Sequence, residues 1–215
     1  MRSASEPQAH DWRIALVGNP NCGKTALFNL LTGARQKVAN YAGVTVERKA
    51  GSLRLADGRT VTVFDLPGAY SLEPATPDEQ VMLEVVEGRR EGESPPDLIV
   101  AVVDATNLRM NLRLVLELRR LGRPMLVALN MSDVARAQGL GIDPLRLAQE
   151  LGCPVVETVA VRHNGHAQLL RQIQVHAAAR GTAEPAASPA AAAGHGVLSG
   201  IGQQRPARSR VPRWR

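Results

Sequence analysis

Short apolar runs alternate with stretches of helical periodicity along the first 180 residues of this chain. Arg13 to Gly18 reads as a first buried strand, followed by a glycine-containing turn and a helix over Thr25 to Leu31 that ends near Gly33. Gln36 to Val46 has neither period and is expected to be irregular, and a long irregular segment inside a compact domain is usually functional. Glu47 to Leu55 and Thr60 to Phe64 predict two strands joined at Asp57-Gly58, a strong hairpin signal. Leu98 to Ala105 is apolar without alternation, the pattern of a strand covered on both faces. Met125 to Leu129 and Val155 to Val159 complete six expected strands. Helices are expected from near Asp78, just after Pro77, over Asn107 to Leu121, from the Asp143-Pro144 pair to Leu151, and over His166 to Arg180. Strands alternating with helices at this spacing predict a doubly wound α/β domain. Its sheet should be mostly parallel, six-stranded with one antiparallel strand, covered by helices on both faces and binding its ligand at the carboxyl ends of the strands.

Composition changes this picture mainly at the end of the chain. The last 35 residues, 181–215, are rich in Ala, Pro and Gly and carry five arginines against the single acid Glu184, which accounts for +4 of the formal net charge of +6. The remaining 180 residues are therefore only about +2, so the overall basicity is no argument for a nucleic-acid partner of the folded body. The expected organisation is a flexible leader over 1–12, one domain over 13–180 and a disordered tail over 181–215. A shifted reading frame, a truncated gene product and a natural linker are the alternative origins of that tail. Two cysteines in separate motifs, Cys22 and Cys153, predict no disulfide framework and fit a reducing cytoplasm. No apolar run approaches the ~18–20 residues needed to span a bilayer.

Every stretch with chemical potential falls at the carboxyl end of an expected strand. GNPNCGKT has the spacing Gly18, four residues, Gly23-Lys24-Thr25. A strand, a glycine turn and a helix N-terminus in that order aim successive N–H groups inward, so Gly18, Asn19, Pro20, Asn21, Cys22, Gly23, Lys24, Thr25 and Ala26 form a candidate phosphate cradle. Lys24 would reach the β- and γ-phosphates and the Thr25 hydroxyl would hold Mg²⁺. Asp65-Leu66-Pro67-Gly68 ends the hairpin's second strand; Asp65 would act on Mg²⁺ through a water, and the Gly68 N–H on the γ-phosphate. Within Gly43-Val44-Thr45-Val46-Glu47, Thr45 is the candidate that closes on the γ-phosphate and Mg²⁺, making 36–46 an order-disorder switch and 68–77 a second one. Asn130-Met131-Ser132-Asp133 specifies the base: one carboxylate accepts both N1–H and the N2 amino group of guanine, whereas adenine presents an acceptor at N1. GTP and GDP are thus the expected ligands rather than ATP. Val159-Ala160-Val161 is the candidate backbone contact to guanine O6.

Taken together, these residues resemble the cytoplasmic GTPase domain of the ferrous iron transport protein B family, over about Arg13 to Gln172. The resemblance rests on GNPNCGKT, on VANYAGVTVERK (Val38 to Lys49), on DLPGAYSLEPATPDEQV (Asp65 to Val81), on VVDATNLRMNL (Val102 to Leu112) and on ALNMSD (Ala128 to Asp133). The second and fourth single out the family; the others are shared with GTPases generally. The resemblance implies a Ras-like phosphate-loop GTPase fold, a cytoplasmic position at the inner face of a bacterial inner membrane, and a membrane permease in the same chain, reached through a helical regulatory domain, that carries Fe²⁺. Neither of those further domains is written in this sequence. Self-association is a further expectation. The resemblance also assigns Asn21 to a K⁺ ion beside the phosphates. With Lys24, Thr45 and Gly68, Asn21 completes the expected catalytic set. Ala69 stands where Ras-like enzymes place a water-orienting Gln, which predicts slow intrinsic hydrolysis. Tyr41-Ala42 replaces the family's more frequent Trp-Pro, and Ser132 a bulkier residue.

The rival reading is a soluble RNA-associated GTPase with the Arg-rich tail as its RNA contact; a nucleotide-binding fragment that switches nothing is a third. Cys22, at a helix start among phosphate-binding amides, is either a reactive thiol or a packed substitute for Ser, the second being favoured. His163 and His166 read as loop residues rather than metal ligands. Asp78, among the acids Glu73, Asp78 and Glu79, reads as the cap of the helix that follows it rather than as an iron contact.

Overall fold

The computed structural model describes residues 12–33, 36–162 and 164–180. The expected leader before Trp12, the tail after Arg180, and His163 lie outside the described residues. Trp12, placed in the expected leader, packs with the domain, 9% exposed with its carbonyl accepting from the Thr62 N–H at 2.9 Å.

Seven strands make one sheet: β1 (Arg13–Gly18), β2 (Gln36–Asn40), β3 (Glu47–Arg54), β4 (Thr60–Asp65), β5 (Leu98–Asp104), β6 (Met125–Asn130) and β7 (Val155–Glu157). Their order is β2-β3-β4-β1-β5-β6-β7. All pairings are parallel except β2 with β3 and β3 with β4, so β3 alone runs against the rest. The fold class is as the sequence predicts, with seven strands in place of six. The additional strand, β2, lies in the segment read as irregular. All five of its residues are exposed at the sheet edge, and a strand with no buried face writes no alternation into the sequence.

The apolar strands bury alternate residues on opposite faces, and helices cover both. On one face Ile14, Leu16, Val100 and Leu126 pack with Leu27, Phe28 and Leu31 of α1 (Lys24–Thr32) and with Leu169, Ile173 and Ala177 of α6 (Ala167–Arg180). On the other, Ala15, Val17, Ile99 and Val127 meet Val81, Met82 and Val85 of α2 (Pro77–Glu87) and Leu114, Val115 and Leu118 of α3 (Leu108–Arg120). Two shorter helices, α4 (Ser132–Ala137) and α5 (Pro144–Leu151), flank β6 and β7, with Asp143 capping α5 through the N–H groups of Leu145 and Arg146. The cap of α2 is Thr76 rather than Asp78: its hydroxyl accepts from the Glu79 N–H at 3.2 Å, while the Glu79 carboxylate accepts from Ala75 N–H at 2.8 Å. Pro77 is then the first helical residue, where its missing N–H costs nothing, and Asp78 remains available for another role. Among the described residues no helix is long and apolar enough to cross a membrane.

Candidate nucleotide site

Five segments converge at the carboxyl end of the sheet because β1, β4, β6 and β7 run parallel and β3 starts from the opposite direction at that same end. The turn after β1 is shaped by backbone that only certain residues tolerate. Gly23 has φ 84, and a Cβ there would lie 2.2 Å from Asn130 Nδ2. A Cβ on Gly18 would lie 2.5 Å from the Val102 carbonyl oxygen and 2.7 Å from Cys22 Sγ. Asn21 is exposed at φ 65, a left-handed conformation in which Asn is among the less strained non-glycine residues. Asn19 is 4% exposed, and both polar atoms of its side chain lack a partner among the described residues.

The Asp65 carboxylate, 5% exposed at the end of β4, is gripped by both ends of the Lys24-Thr25 pair. Oδ1 is ion-paired with the Lys24 ammonium, and Oδ2 accepts from Thr25 Oγ1 at 2.7 Å. These groups line a cavity of about 320 Å³ together with Thr45, Val46, Glu47, Leu66 and Pro67. A hydroxyl and a carboxylate this close are hard oxygen donors of the kind Mg²⁺ selects, so the residues fit that ion. Two further residues in the wall, Lys49 and Asp78, were not singled out as site residues from the sequence. Lys49 pairs in register with Asp65 across the β3–β4 ladder, and Asp78 stands in the first turn of α2.

Beyond Asp65 the chain turns tightly against the phosphate loop. The Ala69 N–H donates to the Gly18 carbonyl at 3.2 Å, and a Cβ on Gly68 would lie 3.0 Å from Pro20 N and 3.2 Å from its Cα. Ala69 itself is fully buried.

The base-reading candidates do not line the phosphate cavity. They are tied to it through Asn130, which is 2% exposed and bonds through both ends of its amide. Nδ2 donates to the Cys22 carbonyl at 3.0 Å, while Oδ1 accepts from Ala160 N–H at 3.0 Å and Thr158 Oγ1 at 3.3 Å. One side chain thus joins the phosphate loop to the segment after β7. Ser132 strengthens the same seam, its hydroxyl donating to the Thr158 carbonyl at 3.2 Å. Asp133 pairs with Arg162 Nη2 at 3.1 Å. Met131, at φ 58, sets the turn between β6 and α4. Of the three amides proposed for guanine O6, that of Val159 is donated to the Gly165 carbonyl at 2.9 Å and that of Ala160 to Asn130. The segment's outward residue is Val161, 86% exposed.

Cys22 is a thiol packed inside the loop. Its side chain is 1% exposed, and burial pushes its pKa up to about 11 despite the neighbouring Lys24. No group of three or more metal-ligating His, Cys, Asp or Glu side chains occurs among the described residues.

Residues 12–173 match the sequence model of the ferrous iron transport protein B family. The chain belongs to that family. It is 49% identical over 167 residues to the Fe(2+) transporter FeoB of Salmonella typhimurium, an alignment covering 76% of this chain and 21% of the relative. The chain therefore spans about a fifth of the length of the curated relatives it matches. Among solved structures it is similar to a mutant S. thermophilus NFeoB bound to GDP, with a TM-score of 0.68 and 44% identity, covering 75% of this chain and 61% of that one. It is also similar to the FeoB G-domain of Methanococcus jannaschii, with a TM-score of 0.65 and 36% identity, covering 77% of this chain and 96% of that one. The part of the family represented is thus its G domain, a phosphate-loop GTPase fold, as the resemblance implied. The match does not favour the RNA-associated alternative.

Proposed function

We propose that this chain binds Mg²⁺·GTP and hydrolyses it slowly to GDP and phosphate, with K⁺ as an activating ion, as the regulatory G domain of a ferrous iron transport system. The observation that carries the reading is the Lys24–Asp65–Thr25 arrangement, in which a buried carboxylate, an ammonium and a hydroxyl share one cavity wall with Thr45. The GDP bound to the S. thermophilus relative supports guanine nucleotide as the ligand.

In this reading the amides of the 18–26 loop and the start of α1 receive the phosphates, and the Lys24 ammonium turns from Asp65 to the β- and γ-phosphate oxygens. Thr25 and Thr45 would supply hydroxyl ligands for Mg²⁺, with Asp65 acting through a water, and the exposed Asn21, whose amide carries a hard oxygen donor, would hold K⁺. When bound, the two cations offset negative charge on the phosphate oxygens. Water attacks the γ-phosphorus, the bond to the β–γ bridging oxygen breaks with its electron pair leaving on GDP, and the water's proton passes to a phosphate oxygen. Gly68 donates its N–H to the γ-phosphate, and buried Ala69 offers nothing to orient the water, hence the slow rate. Asp133 reads guanine N1–H and N2, exchanging its pairing with Arg162 for that of the base.

Phosphate release measured in KCl and in NaCl tests this. Wild type should turn over GTP faster in KCl, and Asn21→Ala should lose that difference while keeping GDP binding. Equal stimulation of both proteins refutes the role of Asn21, and absence of GDP binding by wild type refutes the whole reading.

A further inference from the structure

Residues 41–46 form a short loop closed at its base, with the Tyr41 N–H donating to the Val46 carbonyl at 3.0 Å and the Val44 N–H to the Tyr41 carbonyl at 3.3 Å. The two base residues are buried, Tyr41 at 3% and Val46 at 6% exposure, in the cluster that holds Phe64, Val81, Met82 and Val85. The crest, with Ala42, Gly43 and Thr45, is exposed, and Thr45 reaches the phosphate cavity. Such a crest has little of its own to hold it, and fixing four residues carries a large entropic cost.

What holds it comes from the segment 88–97 between α2 and β5. Arg90 is bonded on two sides: Nη1 pairs with Glu84 of α2 at 2.7 Å, and Nη2 donates to the Ala42 carbonyl at 2.6 Å. Its guanidinium also lies 5.6 Å from the Tyr41 ring centroid, and its side chain is only 12% exposed. Three residues on, Glu93 ion-pairs with Arg13 of β1 and with Arg48 Nε of β3 at 2.9 Å, and both arginines stack on Phe64, at 4.4 and 5.0 Å. The same segment therefore grips the crest on one side through Ala42 and the strand leaving the loop on the other through Arg48.

We propose that Arg90 is a positioning residue for triphosphate recognition: by fixing Ala42 and the Tyr41 ring against α2, it holds the 41–46 loop in the arrangement that presents Thr45 to the γ-phosphate. The proposal rests on the GTP reading above. It has a specific signature, because GDP has no γ-phosphate for Thr45 to meet. Loss of Arg90 weakens triphosphate binding and leaves diphosphate binding alone. A two-sided, partly buried, charged hydrogen bond of this kind sets the expected size at about tenfold.

The test uses the full chain and two fluorescent probes in Mg²⁺, mant-GDP and mant-GMPPNP, with the melting temperature measured in parallel. Arg90→Ala should raise the Kd for mant-GMPPNP about tenfold, keep that for mant-GDP within twofold, and raise KM for GTP with kcat at saturation unchanged. Arg90→Lys keeps the charge but cannot bridge Glu84 and Ala42 in a fork, so it should behave like the alanine variant. Glu84→Gln, which loosens the other anchor, should shift the same ratio in the same direction by a smaller factor and serves if Arg90→Ala does not fold. Equal weakening of both probes, or no change in either, overturns the proposal while leaving the GTP reading intact. Failure of wild type to bind mant-GDP removes both.

Discussion

Two residues of the Asn130–Asp133 tetrapeptide should fail in opposite ways when truncated. Asn130→Ala removes three buried hydrogen bonds at once, those with the Cys22 carbonyl, the Ala160 N–H and the Thr158 hydroxyl. Each bond contributes a net ~1 kcal/mol, so a loss of about 3 kcal/mol or more is expected, the excess set by how far the two backbone groups left behind find other partners. For a domain of this size each kcal/mol moves the melting temperature by ~2–4 °C, which gives a fall of roughly 10 °C. Asp133→Ala removes only an ion pair to an Arg162 side chain that is 68% exposed, a contact of the kind worth ~0–1 kcal/mol, so its melting temperature should stay within about 2 °C of wild type. Its guanine affinity should nevertheless collapse, because the paired acceptor for N1–H and N2 is gone. Thermal melts by circular dichroism and GDP titrations of the two variants check both halves. A fall of less than about 3 °C for Asn130→Ala, or equal melting shifts for both, would refute the view that Asn130 is the staple of the site and Asp133 its reader.

Other outcomes follow from contacts already described. Gly68→Ala puts a methyl group about 3 Å from the Pro20 backbone, so it should block the close approach of this turn to the phosphate loop and weaken GMPPNP binding more than GDP binding, as parallel titrations would reveal. Cys22 should resist iodoacetamide in the native protein at pH 8 and react at the rate of a free thiol only on denaturation, which mass spectrometry can follow. Because burial raises the Cys22 pKa from 9.0 to about 11, its contribution to stability is complete below pH 9 and is lost as pH climbs through 11. Denaturant titrations should therefore place about 2–3 kcal/mol of alkaline destabilisation in that window for wild type and less for Cys22→Ser. Tyr41→Phe should leave stability at pH 7 within about 1 kcal/mol, since the buried hydroxyl finds no partner among the described residues, and should remove the part of the alkaline loss that follows from its pKa of about 12.

Much of this architecture was legible because function and fold write the same letters here. The apolar run of β5 and the capping pair Asp143-Pro144 were readable from burial and backbone chemistry alone. GNPNCGKT was readable from its spacing after a strand, and the same glycines are also required by the close approach of Gly18 to the Val102 carbonyl and of Gly23 to the Asn130 amide. β2 was not readable, because its five exposed residues answer to backbone pairing and leave no side-chain period. Thr76 was overlooked as the cap of α2 because Asp78 is the stronger capping type; Pro77, which must sit inside the first turn, was the sign that the cap lay before it. Lys49 could have been found by counting: the hairpin pairs Arg54 with Thr60, and five steps back along that register Lys49 faces Asp65. The staple made by Asn130 could not be read, since two of its three distant partners are backbone atoms, which no sequence pattern marks.

The β2–β3 ladder sets a mechanical limit on signalling. Its five registered pairs run from Gln36 with Gly51 to Asn40 with Glu47, so both feet of the 41–46 loop are anchored in the same hairpin. Six residues, 41–46, lie between them and outside the ladder. At ~3.5 Å per residue their contour is ~20 Å, and a loop returning to its own base reaches out about half of that. A rearrangement confined to this loop is therefore expected to be felt only within ~10 Å of the sheet edge, and one that reaches a farther detector requires the β2–β3 ladder itself to open.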